Sequence, residues 1–328
     1  MAGGMRMSRY ARQAILPQVG AEGQARLSAA QVLVVGAGGL GVPVLQYLTG
    51  AGVGRITLVD GDRIATHNLH RQPLYRMDQV GRFKAEAAAE ALAALNPEAT
   101  VEPVTTWLDP ANAPVLVARA DLVMDCADTF AASLTLSDAC MAAGKPLIAA
   151  SALAMSGYAA GFCGGAPSLR ALFPDLPERG ATCDTAGVMG PVVATIGAVQ
   201  AQMALSALLG LQPAPLGQLI SFDAAQWRFG GFRFDAAAEP AHVLPFVAPS
   251  QIGPADLVID LRTEEPAPFR KDALHLSPDQ MHGQPLPPEG SRVILACRTG
   301  LRAHHAGCAL QSRWTGQIAL LAVPPTDQ

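Results

Sequence analysis

Gly36, Gly38, Gly39 and Gly41 follow directly on the apolar run Val32-Leu33-Val34-Val35 and open a helix-forming stretch. Their order is Gly-x-Gly-x-x-Gly. Bare amides at a helix start attract anions, because the first turn leaves N–H groups unpaired at the positive end of the dipole. Asp60 lies about 20 residues further on, at the end of a second strand pattern, where a mononucleotide-binding unit places the acid that holds ribose hydroxyls. These residues spell a nucleotide cradle. They do not choose between a dinucleotide and ATP, and a strand–helix turn with no ligand uses the same glycines.

Charged residues narrow the choice. Arg71 and Lys84 come from segments that a doubly wound sheet brings to one edge, and Asp128 ends a strand on that edge. A dinucleotide's pyrophosphate needs little beyond the glycine turn. ATP carries about four negative charges and a metal ion, so it calls for cations along the phosphates and a carboxylate for the metal. No Gly-x-x-x-x-Gly-Lys-Ser/Thr occurs, so a P-loop is excluded. A second constellation stands near the other end: Cys297-Arg298-Thr299-Gly300-Leu301-Arg302 follows the strand-like Val293-Ile294-Leu295-Ala296. A cysteine at a strand end, with loop amides and two arginines ahead of a helix, suits an anionic sulfur. A buried structural thiol is the alternative.

The elements that must carry these residues alternate. Strand patterns at 32–35, 55–60, 100–104, 121–126 and 147–150 are separated by helical ones, including an Ala/Glu/Leu helix from Lys84 to Leu95. That alternation predicts a mostly parallel sheet covered on both faces. A helical arm over residues 8–27 precedes it. Beyond Ser151 the style turns antiparallel, with strands at 157–163 and a hairpin over 219–234 turning at Gly230-Gly231. Between them a long loop, 164–191, contains Cys183, and loops of that length are more often functional than filler. The expected division is an ATP-binding domain at 1–234, a linker of Ala/Pro composition at 235–249, and a small α/β domain at 250–328.

Half of the 328 residues are hydrophobic and 15% are charged, which supports a large core and argues against disorder. A net charge of −4 argues against a general nucleic-acid binder. The six cysteines form no Cys-x-x-Cys pair, and nothing resembles a disulfide framework, which fits a cytoplasmic setting. The N-terminal MAGGMRMSRYARQ has no apolar signal core. Residues 188–211 are long and apolar enough to suggest a membrane span, but Pro191, Gly197, Gln200 and Gln202 and the lack of basic flanks favour a buried helix. Cys126 and Cys140 fall on apolar patterns and read as core thiols.

Taken in order, several stretches resemble the ubiquitin-activating-enzyme-like adenylyltransferases that charge sulfur-carrier proteins, the ThiF/MoeB/HesA type. They are Arg9-Tyr10-x-Arg12-Gln13, Gly36-Ala37-Gly38-Gly39-Leu40-Gly41, Ala51-Gly52-Val53-Gly54, Asp60-Gly61-Asp62, Asn68-Leu69-His70-Arg71-Gln72, the Lys84 helix, Asp125-Cys126-Ala127-Asp128 and Thr182-Cys183-Asp184-Thr185. The resemblance spans residues 8–235. It implies a Rossmann-like, mostly parallel sheet with an antiparallel extension. It assigns to the nucleotide Gly38, Gly39, Gly41, Asp60, Asp62, His67, Asn68, Leu69, His70, Arg71, Gln72, Lys84, Asp128 and Thr129, with Asp128 as a Mg²⁺ ligand. It places Arg12 in the active site of a second subunit, hence a homodimer. The implied reaction joins the C-terminal glycine carboxylate of a ubiquitin-like carrier (MoaD/ThiS type) to the α-phosphorus of ATP. The segment around Cys297, with Asp260-Leu261-Arg262, resembles a shortened rhodanese-like sulfurtransferase domain. It implies a persulfide, loaded by a cysteine desulfurase and passed on to form a thiocarboxylate.

Departures from the family pattern matter. Where relatives carry the first cysteine pair of a structural zinc, this chain has Ser168 and Ala171, so no zinc is expected. His67 replaces a serine and Thr129 an asparagine. Cys183 is either a catalytic cysteine or a spectator. A nicotinamide- or flavin-dependent oxidoreductase on the same glycine turn, or a scaffold that binds a carrier without charging it, are the rival readings. Molybdopterin, thiamine and tRNA-thiolation pathways all remain open.

Overall fold

The computed structural model describes residues 9–177 and 187–323. β1 (Gln31–Val35) is buried from Val32 onward, as an apolar run with no solvent face must be. β2 (Arg55–Val59) and β3 (Thr100–Val104) add on one side of it, while β4 (Leu122–Asp125) and β5 (Pro146–Leu153) add on the other, all parallel. The strand order is therefore β3-β2-β1-β4-β5, and the direction of winding reverses between β1 and β4. A crevice opens at the carboxyl ends of such a pair, which is where doubly wound sheets bind ligands. The glycine turn leaves β1 on one wall of that crevice, and the segment Cys126–Thr129 leaves β4 on the other. β6 (Ser156–Cys163), β7 (Gln218–Asp223) and β8 (Arg228–Arg233) extend the sheet antiparallel to eight strands.

The helices are α1 (Ala11–Ala14), α2 (Gly20–Ala29), α3 (Gly41–Ala51), α4 (Lys84–Leu95), α5 (Ala113–Ala118), α6 (Phe130–Ala143), α7 (Leu169–Leu172) and α8 (Gly190–Leu209). The arm expected as one helix is two, α1 and α2. The break holds Pro17, which cannot donate to a helix ladder, and α2 restarts at Gly20, φ 59°. α8 is the long apolar helix. By length and composition it could cross a membrane, yet half of its most apolar window is buried inside the protein. Gln200 explains its seat. Wholly buried, it donates to the Asp125 carbonyl at 2.7 Å and the Ile148 carbonyl at 3.0 Å, which fastens α8 across β4 and β5.

The β7–β8 hairpin does not turn at Gly230-Gly231. Those glycines lie within β8, opposite Ser221 and Ile220. The turn is at residues 224–227, where the Asp223 carboxylate accepts the Ala225 and Gln226 amides at 2.9 and 3.2 Å. An aspartate thus supplies the reversal expected of glycine.

The tail has its own parallel sheet of four strands: β9 (Leu257–Asp260), β10 (Leu274–His275), β11 (Arg292–Cys297) and β12 (Gln317–Ala322), in the order β10-β9-β11-β12. α9 (Pro278–His282) and α10 (Leu301–Gln311) accompany it. Within the segment 235–249, expected as a linker, residues 235–243 are mostly exposed, but 244–248 are packed. Leu244, Phe246 and Ala248 are buried with strand periodicity. Val247 donates to the Leu320 carbonyl and Leu320 to the Pro245 carbonyl, each at 2.8 Å, so this stretch runs beside β12. One apolar cluster passes through both sheets, from Leu33 and Leu134 through Leu244 and Phe246 to Leu295 and Leu320.

Candidate functional site

The glycine turn is built by close approach. Gly36 has φ 99°, and a methyl group there would lie 2.5 Å from the Cys126 carbonyl oxygen. A methyl on Gly41 would overlap the Gly36 carbonyl. Only glycine lets the chain leave β1, fold against the exit of β4 and start α3. Gly39 is closed off by Val193 of α8, 2.7 Å from where its Cβ would stand, with the Arg71 stem beside it. Gly38 has ordinary room, its nearest neighbour being the Gln72 amide nitrogen at 3.6 Å.

Asp60 is tied to this turn: its carboxylate accepts the Ala37 amide at 2.6 Å and the Asp62 amide at 2.8 Å. Burial pushes its pKa up, and Lys84 with those two amides offsets the rise only in part. Lys84 opens α4. Its side chain is 6% exposed and pairs with Asp62, which is 50% exposed, so a buried cation meets solvent through a carboxylate. Tyr75, which no sequence pattern marks, joins the two pieces. Its buried hydroxyl donates to the Ala37 carbonyl at 2.8 Å and reaches the Lys84 carbonyl at 3.4 Å.

The loop between Ala65 and Gln72 forms the rim. Asn68 is buried and accepts the Ala65 amide at 3.3 Å, closing a short turn. Leu69 packs into the core, while His67 and His70 are exposed. The Arg71 guanidinium folds back, donating to the His67 carbonyl at 3.1 Å and lying 3.0 Å from the His70 ring. Gln72 is 2% exposed and its side-chain oxygen is unpartnered. An unmet buried acceptor costs about 1–3 kcal/mol. One beside the glycine turn calls for a hydrogen-bond donor, such as a hydroxyl or amino group of a polar ligand.

On the opposite wall, Asp128 is exposed, with no hydrogen bond or ion pair among the described residues. Thr129 next to it caps α6, its hydroxyl oxygen accepting the Ala132 amide at 3.3 Å. Asp125, just behind, is buried, and burial pushes its pKa up to about 6 against opposing bonds from Ser133 and the Ala127 amide. Mg²⁺ commonly binds through one or two carboxylates plus substrate phosphates, and the exposed Asp128 carboxylate is free to supply one. Arg12 is elsewhere, on α1 at the far ends of α3 and α4. Cys183 lies outside the described residues. Ser168 donates its amide and hydroxyl to Glu239 at 2.7 and 2.5 Å, clasping α7 to the stretch after β8.

In the tail, Cys297 ends β11 and is 1% exposed; its sulfur accepts the Ala303 amide at 3.4 Å. The two arginines do not ring it freely, as the sequence suggested. Arg298 pairs with Glu265 at 2.5 Å and Arg302 with Glu264, whose carboxyl it holds down at about 2. Adjacent glutamates two residues beyond Arg262 claim both guanidiniums. Asp260 is wholly buried against Arg262, with nitrogen–oxygen distances of 3.1 and 2.9 Å. Burial raises its pKa, but that pairing and the Phe269 amide outweigh burial and leave it lowered. The Cys297 loop is pressed onto α6: a methyl at Gly300 would lie 2.6 Å from the Phe246 ring and 3.2 Å from the Ala131 side chain. Since α6 starts directly after Asp128, the tail abuts the helix that flanks the nucleotide crevice.

Residues 10–242 match the ThiF family. A sulfur carrier protein adenylyltransferase of Thermus thermophilus is 45% identical over 231 residues, covering 68% of this chain and 85% of that one. The adenylyltransferase and sulfurtransferase MOCS3 of Bos taurus is also 45% identical, over 224 residues, covering 67% of this chain and 49% of that protein, so the chain matches about half of its length. Among solved structures, Escherichia coli MccB with ATP has a TM-score of 0.62 at 24% identity, covering 70% of this chain and 72% of that chain. That likeness is one of fold.

Proposed function

The chain belongs to the ThiF family, and from that premise we propose that its adenylyltransferase activity is directed by ATP at the C-terminal glycine of a ubiquitin-like sulfur-carrier protein. The observation that carries the reading is the nearly dry Lys84 ammonium beside the glycine turn, at the switch point of the sheet. A carboxylate oxygen attacks the α-phosphorus, the bond to the bridging oxygen breaks, and pyrophosphate leaves. The nucleophile is already ionised, so no general base is required. The protein's task is to align two anions and neutralise charge. Lys84 and Arg71 hold phosphate oxygens, Asp60 the ribose, and the turn from Gly36 to Gly41 offers amides. Asp128 would hold Mg²⁺ together with the phosphates, where the ion neutralises charge on the leaving group.

The tail extends the reading to sulfur. The terminal sulfur of a Cys297 persulfide, supplied by a cysteine desulfurase, attacks the acyl carbon and AMP leaves. A second thiol then cleaves the sulfur–sulfur bond and frees the thiocarboxylate. The docking of the Cys297 loop on α6 supports a transfer between neighbouring sites. Two copies of the chain act together through Arg12, in the cytoplasm.

ATP–pyrophosphate exchange that depends on a carrier ending in Gly-Gly tests the core of this. NAD(H) binding without exchange on any such carrier would sink it in favour of an oxidoreductase, and carrier binding without exchange would leave a scaffold. Cys297→Ala is expected to keep exchange and lose thiocarboxylate formation.

A further inference from the structure

The motif Arg9-Tyr10-x-Arg12-Gln13 divides its labour. Arg9 donates to the Leu95 carbonyl at 2.8 Å, the last residue of α4. Gln13 donates to the Ala51 carbonyl at 3.0 Å, the last residue of α3, and to Gln24 at 2.9 Å. Tyr10 sits between these two helix ends. Its hydroxyl accepts from Asn96 at 2.9 Å, and the wholly buried Asn96 also donates to the Thr49 carbonyl at 2.7 Å. Its ring lies against Gly52, the left-handed residue that ends α3, where a methyl group would be 2.6 Å away. Arg9 and Gln13 are thus bound to carbonyls at helix carboxyl ends, which have them unpaired to offer, and Tyr10 to Asn96 just past α4. Arg9 and Arg12 are both exposed, but Arg9 is spent on α4, while the Arg12 guanidinium has no partner among the described residues.

The arm is also at the wrong end for its own site. The nucleotide crevice lies at the amino ends of α3 and α4, and α3 with its 11 residues spans roughly 16 Å. An arginine side chain does not cover that distance and the crevice beyond it. An unpaired cation so held is presented outward, to another molecule.

We infer that Tyr10, locked by Asn96 and wedged on Gly52, is the positioning residue that aims Arg12 at the crevice of a second copy of this chain. This rests on the two-copy reading above. Tyr10 touches neither nucleotide nor carrier. Its loss therefore damages the partner's site and leaves its own protomer's site intact.

Mixed dimers test this by ATP–pyrophosphate exchange with a Gly-Gly carrier that the wild type charges. Tyr10→Ala and Arg12→Ala homodimers are each expected to lose turnover at least about tenfold, as removal of a transition-state cation does. Mixing either with Lys84→Ala rebuilds one complete site per mixed dimer, and random pairing restores about a quarter of wild-type exchange per protomer. If Arg12→Ala is complemented and Tyr10→Ala is not, Tyr10 acts within its own protomer and the inference is overturned. If neither is complemented, the two-copy reading fails, and this inference with it. Tyr10→Leu keeps the bulk of the wedge should Tyr10→Ala not fold; the same loss and the same complementation are expected, and wild-type turnover would equally overturn the assignment.

Discussion

Lys84 and Asp62 form an ion pair of unequal burial, the lysine side chain 6% exposed and the aspartate 50%. Exposed pairs contribute little, but a nearly dry ammonium that loses its partner is costly. Lys84→Met is therefore expected to cut exchange by about 10²–10³-fold while shifting the melting temperature little, since the stem still packs. Asp62→Asn leaves the cation short of a counter-charge. Its melting temperature should fall without nucleotide and rise more on adding ATP than that of the wild type. Equal ATP-induced shifts in the two proteins would count against phosphate binding at Lys84.

The glycines of the turn are not equivalent. Ala at Gly41 would overlap the Gly36 carbonyl, backbone against backbone, whereas Ala at Gly38 meets only the Gln72 amide at 3.6 Å. Gly41→Ala should cost about 3 kcal/mol or more, or prevent folding. Gly38→Ala should fold with a near-normal melting curve, and any loss it shows should appear in the Michaelis constant for ATP. Calorimetric melts beside exchange kinetics separate the two.

How much of this was legible beforehand depends on whether the signal was local. The glycine turn, Asp60 and the Lys84 helix could be read because a strand, a turn and a helix start are adjacent in sequence. Tyr75 and Gln200 could not. Each is a single polar residue whose partners lie far along the chain, Ala37 for one, Asp125 and Ile148 for the other. The packing of 244–248 is hidden by the Ala and Pro content around it, which masks the alternation Leu244, Phe246, Ala248. Arg298 and Arg302 looked available because charge partners cannot be assigned before β9 and β11 are known to be neighbours.

Asp125 gives a pH signature. In the unfolded chain it ionises near 3.8, and in the fold burial delays this to about 6. Between those values the folded state keeps a proton that the unfolded state has lost, so stability falls as pH rises through the window and levels off above it. Asp125→Asn lacks that fall. Relative to wild type it should gain about 2–3 kcal/mol between the lower and upper ends of the window. Urea titrations at pH steps across it measure the difference, and parallel curves would refute the assignment.

Thiol labelling reports on the docked tail. Cys308 is exposed and Cys297 is 1% exposed beneath its loop. Iodoacetamide should modify Cys308 at least about tenfold faster, because labelling of a buried thiol waits on local opening. Gly300→Val drives a side chain toward Phe246 and Ala131 and should raise the Cys297 rate while Cys308 is unchanged. Peptide mass spectrometry over time reads both.

The thread from Pro245 to Ala248 has a consequence for how this molecule can change. Because it runs beside β12 while Leu244 and Phe246 join the core under α6, the two sheets have no seam of their own to part along. The halves should melt in one transition, and a chain cut before Leu244 would expose an oily face on the nucleotide half. A tail of this kind is not a module that shuffling can swap for another domain. Any replacement would have to bring a surface that fits α6, and the two halves are bound to drift together.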